Sequence, residues 1–380
     1  MINQHYSVNN KKFLNYFSAI RESNSTGHFV QFHLPDIKKF LDVDVNAALR
    51  KNPSELIAEK LIFLKNKNIP LRLHYSGGTD SHTILLTALN NNIKFDSVFV
   101  YLTSVTNSDY VNFEFIPGIK FLEKNKNLYN DLEIYNYSID DYRVWNNLET
   151  PYQYTGFYHG FRPAWSEVFT KKLDKSFLEI LGVDKPVLYV NKQGKYYWIL
   201  TDNFDYVADT NHCDFYLDTI FPELTINQVY LTKYVYKTLL PNGRGWLCYK
   251  DLGFQQKTYN KIIGRSSAVS PELEITKTSD NWGNQSYLNQ KHLRALQEIY
   301  HLGEHDIIES WVNNSFNLVK NSENILHGIK KKTVSLPDLG KKFPKSIELA
   351  ERIFRIGAIF ELHDTHLELM PFTDIQLLED

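Results

Sequence analysis

Cysteine is nearly absent from this 380-residue chain: Cys213 and Cys248 are the only two, and they form no C-x-x-C pair. A disulfide framework and a cysteine-built zinc site are therefore excluded, and each thiol reads as a small buried apolar residue. Charge of one sign is lacking too, since 42 basic residues stand against 44 acidic ones for a net charge of −2. No overall field drives such a chain onto nucleic acid or an anionic membrane. Long apolar runs are missing, for nothing approaches the ~20 residues that span a bilayer. The polar stretch Met1–Asn10 also lacks the apolar centre of a signal peptide. The cytoplasm is the expected compartment, the host's if the gene is viral. Methionine is scarce, at 2 residues, against 24 Tyr and 24 Phe. With abundant Asn, Lys and Ile, this bias points to an AT-rich coding sequence, bacterial or viral, and carries no mechanism.

What is present is an alternation of strands and helices. Apolar spacing and Pro53 predict a helix over Ser54–Leu64, followed by a strand at Leu71–Tyr75. A Gly-rich turn and a helix over Ser81–Asn91 come next, then a strand at Ser97–Leu102. A helix over Asn112–Lys124 is expected to be bent or shortened by Pro117 and Gly118. Further strands are read at Leu132–Tyr135 and Phe177–Leu181, with helices at Ile139–Leu148 and Ala164–Leu173 between them. Such alternation implies an α/β fold with a parallel sheet covered on both faces. After Pro186 a β-hairpin is expected around Asn191–Gly194, and from about residue 225 helical patterns dominate, notably Gln290–Tyr300 and Ile307–Val319. The predicted organisation is a mixed N-terminal segment (1–65), an α/β core (66–190), and a hairpin insertion with a mainly helical C-terminal substrate or partner region (191–380).

The informative stretch is Ser76-Gly77-Gly78-Thr79-Asp80-Ser81, where a strand runs through two glycines into a helix. Successive backbone N–H groups in such a turn make an anion nest, and the helix start adds unpaired donors and partial positive charge. Ser76 and Ser81 add hydroxyl donors. Asp80 would repel phosphate unless a cation sits between them, which points to Mg2+. The competing reading is a plain strand-to-helix turn with Asp80 capping the helix.

The turn is neither G-x-x-x-x-G-K-[ST] nor G-x-G-x-x-G. S-G-G-x-D-S after a strand instead resembles the signature of the PP-loop ATP pyrophosphatase superfamily, and the likeness extends over about 70–190. It implies a doubly wound, HUP-like sheet and a loop that holds the β- and γ-phosphates of ATP, with Mg2+ on Asp80. It also implies that main-chain groups of Tyr101 and Leu102, at the end of the second strand, meet the adenine; ordinary strand packing is the alternative there. In the asparagine synthetase-like branch, a loop after a later strand supplies a second metal carboxylate. Gly182 and Asp184 match that loop, and Lys185 would neutralise the departing pyrophosphate. That branch carries an acidic residue where Lys185 stands.

Within the superfamily, Ile2 stands where glutamine-using asparagine synthetases carry a nucleophilic cysteine, so ammonia or an amine is expected from a separate donor. The shortage of cysteine argues against the zinc-bearing, thiolating and sulfonucleotide-reducing branches. The expectation is an adenylating, C–N bond-forming ligase acting on a small molecule or RNA, with no membrane partner and with homo-oligomerisation left open. Two other classes stay in view. One is a tRNA or nucleobase modification enzyme that uses the basic residues Lys330–Lys332 and Lys341–Lys345; the other is a non-catalytic nucleotide sensor. Among weaker signals, Arg162 reads as a surface residue and Gly264–Ser267 as a loop rather than an anion cradle. Two acidic sets, Asp202, Asp205 and Asp209, then Asp214 and Asp218, read as solvated surface. His363, Asp364 and His366 lack a third metal partner.

Overall fold

The computed structural model describes residues 5–13, 31–103, 115–137, 176–182, 185–201, 212–247, 255–266 and 356–370, with single positions at 19, 22, 26, 28, 252, 253 and 269. The first strands are β1 (His5–Val8), β2 (Lys11–Phe13) and β3 (Gln31–His33), which form a small antiparallel sheet in the order β2–β1–β3. Helices α1 (Val45–Arg50) and α2 (Pro53–Lys65) follow. Asn52 and Glu55 close a reciprocal capping box at the start of α2, with Pro53 at its first position, where a missing N–H costs nothing.

The core continues as β4 (Leu71–His74), α3 (Thr79–Asn90), β5 (Phe95–Thr103), α4 (Phe115–Lys124), β6 (Tyr129–Tyr137) and β7 (Leu178–Leu181). After it come β8 (Val187–Val190), β9 (Tyr196–Thr201), β10 (His212–Asp214), α5 (Pro222–Leu239), β11 (Gly245–Leu247), α6 (Gln256–Ile262), β12 (Ile356–Leu362) and β13 (Leu367–Met370).

The parallel sheet expected from the alternation is present, in the order β10–β7–β4–β5–β6. From β4 the chain steps outward to β5 and β6, whereas β7 returns to the opposite flank of β4. Strand order therefore reverses between β4 and β7, and it is at the C-terminal ends of such a strand pair that α/β sheets take ligands. Period-two alternation gives the sheet two unlike faces. Leu71, Leu73, Val98, Leu178, Ile180 and Cys213 form an apolar face that packs on Leu56 and Leu61 of α2 and on Ile84, Leu85 and Ala88 of α3. The other face carries Arg72, His74 and Glu179, all buried. Arg72 Nε donates to Glu179 Oε2 at 2.9 Å, and His74 Nε2 lies 2.7 Å from the same oxygen. Charges this deep persist only because they are mutually paired.

A second five-stranded sheet, antiparallel, runs β11–β8–β9–β12–β13. The expected hairpin is its β8–β9 pair, closed by Gly194 N–H donating to Asn191 O at 3.0 Å. Trp198 of β9 stacks on Phe360 of β12 at 5.0 Å, and Phe40 meets both rings edge-on. Helix α5 belongs to both cores: Leu224 packs with the parallel sheet, Ile226 and Val229 with the antiparallel one.

One expectation is overturned here. Neither acid of the second set is solvated surface: Asp214 is half-buried with its Oδ1 out of contact with solvent, and Asp218 is fully buried, with Lys60 Nζ donating to its Oδ1 at 2.8 Å. The predicted helices at 139–148, 164–173, 290–300 and 307–319 lie outside the described residues, as do Arg162, Asp202, Asp205, Asp209, Cys248 and the basic stretch. No helix among the described residues is long and apolar enough to cross a membrane.

Candidate functional site

Beyond β4, Tyr75 N–H still bonds to Phe99 O of β5 at 2.9 Å, and then the chain turns. Gly77 takes φ 75°, a left-handed conformation that glycine adopts without a Cβ penalty. Gly78 is the N-cap of α3 and no side chain caps the helix, so Asp80 does not play the capping role of the competing reading. The two serines brace the turn instead: Ser76 N–H donates to Ser81 Oγ at 3.2 Å, and Ser76 Oγ accepts from Gly78 N–H at 3.3 Å. Gly77 O is occupied by Val269 N–H at 3.1 Å. Among the described residues, nothing accepts from the N–H groups of Gly77, Thr79, Asp80 or Ser81. Unfilled donors at a helix start, reinforced by the helix dipole, are what an anion requires.

Asp80 faces two cations. Lys185 Nζ donates to both carboxylate oxygens, at 2.9 and 3.1 Å, and Arg265 Nε donates to Oδ1 at 2.7 Å. Burial by itself would raise the Asp80 pKa, but Lys185 and Arg265 outweigh it and hold the carboxyl down at about 2. The Tyr216 hydroxyl donates to Asp80 O at 2.9 Å, and the Arg265 guanidinium lies 3.1 Å from the centre of the Tyr216 ring, in cation–π contact.

Arg265 was expected in a plain loop; it is instead a buried clamp on the motif. Several bonds set its position. Arg265 N–H donates to Asn260 O at 2.7 Å, and Gln228 of α5 holds Ile263 O at 3.0 Å. Ser266 N–H donates to Thr83 Oγ1 at 2.7 Å, and that hydroxyl donates in turn to Thr79 O at 2.6 Å. The segment after α6 is thereby stapled to the first turns of α3.

Lys185 lies between β7 and β8. Gly182, just past the end of β7, comes so close to the motif that a Cβ on it would sit 2.9 Å from both Ser81 Cα and Ser81 N. Only glycine allows the approach. Asp184, the expected second metal carboxylate, lies outside the described residues.

The arrangement of Asp80 does not suit a direct Mg2+ ligand, because both of its oxygens already accept from cationic side chains. No cluster of three His, Cys, Asp or Glu suited to a metal exists among the described residues. His363 and His366 stack at 4.4 Å on the β12–β13 turn without forming one.

Comparison with protein-family models and with curated proteins gives no match. What the site can do therefore rests on its own geometry.

At the sheet edge, β4 pairs with β5 only as far as Phe99, while β6 accompanies β5 through Thr103. Phe99 O points toward β4, so alternation turns the Tyr101 N–H and C=O to that same side, past the point where β4 has ended. Leu102 turns its main-chain groups toward β6. Of the two expected adenine contacts, Tyr101 has main-chain groups on the β4 side, beyond the end of that strand, and Leu102 does not.

The turn thus brings together Ser76, Gly77, Gly78, Thr79, Asp80, Ser81, Gly182 and Lys185, as the sequence reading required. Tyr216 was missed altogether, and Arg265 was set aside. No local pattern marks either one, and only the Gly264-Arg265-Ser266-Ser267 run carried a hint.

Proposed function

We propose that the chain is an ATP-dependent adenylating enzyme of the PP-loop kind, with a HUP-like core and an activity like that of the asparagine synthetase branch. The observation that carries this reading is the set of backbone donors at Gly77, Thr79, Asp80 and Ser81 that no described residue fills, set beside Lys185 and Arg265 at the strand-order reversal. A triphosphate tail is the ligand that such a concentration of donors and cations suits. The Tyr101 main-chain groups lie on the side of β5 where an adenine edge would be read.

In the proposed reaction an oxygen of a substrate carboxylate, amide or base attacks the α-phosphorus of ATP. The bond from that phosphorus to the bridging oxygen breaks, and pyrophosphate leaves. An amine or ammonia then attacks the activated carbon, loses a proton, and displaces AMP. The chain's part is positioning and charge stabilisation. Backbone N–H groups of Gly77, Thr79, Asp80 and Ser81 hold the leaving phosphates. Lys185 takes up the charge that develops on them, and Asp80 keeps both cations in place. A divalent ion, where one is used, would enter with the nucleotide rather than reside on Asp80.

The test is pyrophosphate release from ATP, screened against pooled metabolites and RNA, with mass spectrometry of any adduct. Release is expected from the wild type, and Asp80→Asn should lower it roughly 10²-fold by freeing the two cations while the circular dichroism spectrum is retained. Nucleotide binding with no pyrophosphate under any condition would favour the sensor reading instead.

A further inference from the structure

Asp80 presents a difficulty for any phosphate site, since a carboxylate in the first turn of the binding helix repels the ligand. The geometry removes the difficulty without a metal. Among these three groups, one negative charge on Asp80 meets two positive charges, on Lys185 and Arg265. The Arg265 side chain is fully buried, yet it spends only Nε on Asp80 and Nη1 on Ile263 O, at 3.4 Å. Its Nη2 is buried with no hydrogen-bond partner among the described residues. A spare guanidinium donor in a desolvated site is costly unless something accepts from it. The neighbouring N–H groups of Gly77, Thr79 and Ser81 are equally unfilled by described residues. These donors call for an anion that bridges the turn and the Arg265 segment.

We infer that this site binds a pyrophosphate group without a metal ion, with Lys185 and Arg265 supplying the countercharge that Mg2+ would otherwise bring. The inference rests on Ser76–Ser81 being the phosphate site and goes further, assigning Arg265, from outside the motif, as an anion-binding residue. Tyr216 is its positioning partner, its ring beneath the guanidinium and its hydroxyl on the Asp80 carbonyl.

The experiment is calorimetric titration of the full chain with inorganic pyrophosphate, once in EDTA and once in Mg2+, with ATP plus Mg2+ titrated in parallel. Pyrophosphate should bind in EDTA. Arg265→Gln, which keeps a planar polar group over Tyr216, should weaken that binding about tenfold, the worth of one charge-assisted hydrogen bond. Lys185→Met should weaken it similarly, and thermal unfolding verifies that each variant is folded. Binding of pyrophosphate only when Mg2+ is present would overturn the inference and leave the ATP reading standing. EDTA-phase affinities for both folded variants within twofold of wild type would overturn it as well. Failure of pyrophosphate and ATP to bind in either buffer would remove both.

Discussion

Asp218 and Asp80 are each held by a lysine, and the contrast between them separates scaffold from site. Asp218 is wholly enclosed: its Oδ1 accepts from Lys60 Nζ and from the N–H groups of Ile220 and Phe221, and its Oδ2 accepts from Cys213 Sγ at 2.9 Å. Lys60 is as fully buried as its partner. The cluster is closed, with its donors and acceptors matched inside the protein, and it fixes the turn that carries Phe215 and Tyr216. Asp80 keeps 20% of its side chain exposed and sits among N–H groups that no described residue fills. A lysine–aspartate pair is therefore no sign of function. Its significance depends on whether the groups around it are already satisfied.

Breaking the closed pair should have the larger effect on stability. Lys60→Met leaves the Asp218 carboxylate buried without its cation and should cost about 3–5 kcal/mol, read by urea unfolding. A loss below about 1 kcal/mol would place the pair with surface ion pairs and erase the contrast. The open pair should show a smaller effect that depends on pH. The folded-state pKa of Asp80, about 2, lies below the ordinary value of 3.8. Its ionised form therefore stabilises the fold at pH values above the ordinary pKa, and that contribution is lost as pH falls toward 2. Wild type should exceed Asp80→Asn by about 2 kcal/mol near neutrality, and the two unfolding curves should converge between about pH 4 and pH 2. A difference that stays constant down to pH 2 would mean that the carboxyl is not held by Lys185 and Arg265.

How much could be read in the sequence follows from the separation of the partners. The Ser76–Ser81 turn was legible because strand, glycines and helix start fall within a dozen residues, each with its own local signal. Lys185 was legible by a rule of topology: it follows β7, whose end must lie on the same sheet edge. Asp80 meets Arg265 across 185 residues, and its carbonyl meets Tyr216 across 136; no periodicity connects such positions. Asp218 was misread for the same reason, since Lys60 stands 158 residues away and a lone acid carries no mark of burial. Arg72 and His74 interrupt an otherwise apolar central strand, and only their pairing with Glu179 makes that tolerable. β10 spans three residues, too short for an alternation pattern, and β12 and β13 close the antiparallel sheet from a stretch read within a mainly helical region.

The claim beneath the rest is that the amides of Gly77, Thr79, Asp80 and Ser81, which no described residue fills, hold the phosphates of a nucleotide. Amide NMR of the 15N-labelled, deuterated chain under ATP titration tests it most directly. The resonances of Gly77, Thr79, Asp80 and Ser81 should move downfield together and saturate with the binding isotherm. If ATP binds while these four amides stay where they were, the nucleotide lies elsewhere and the site is not the one described.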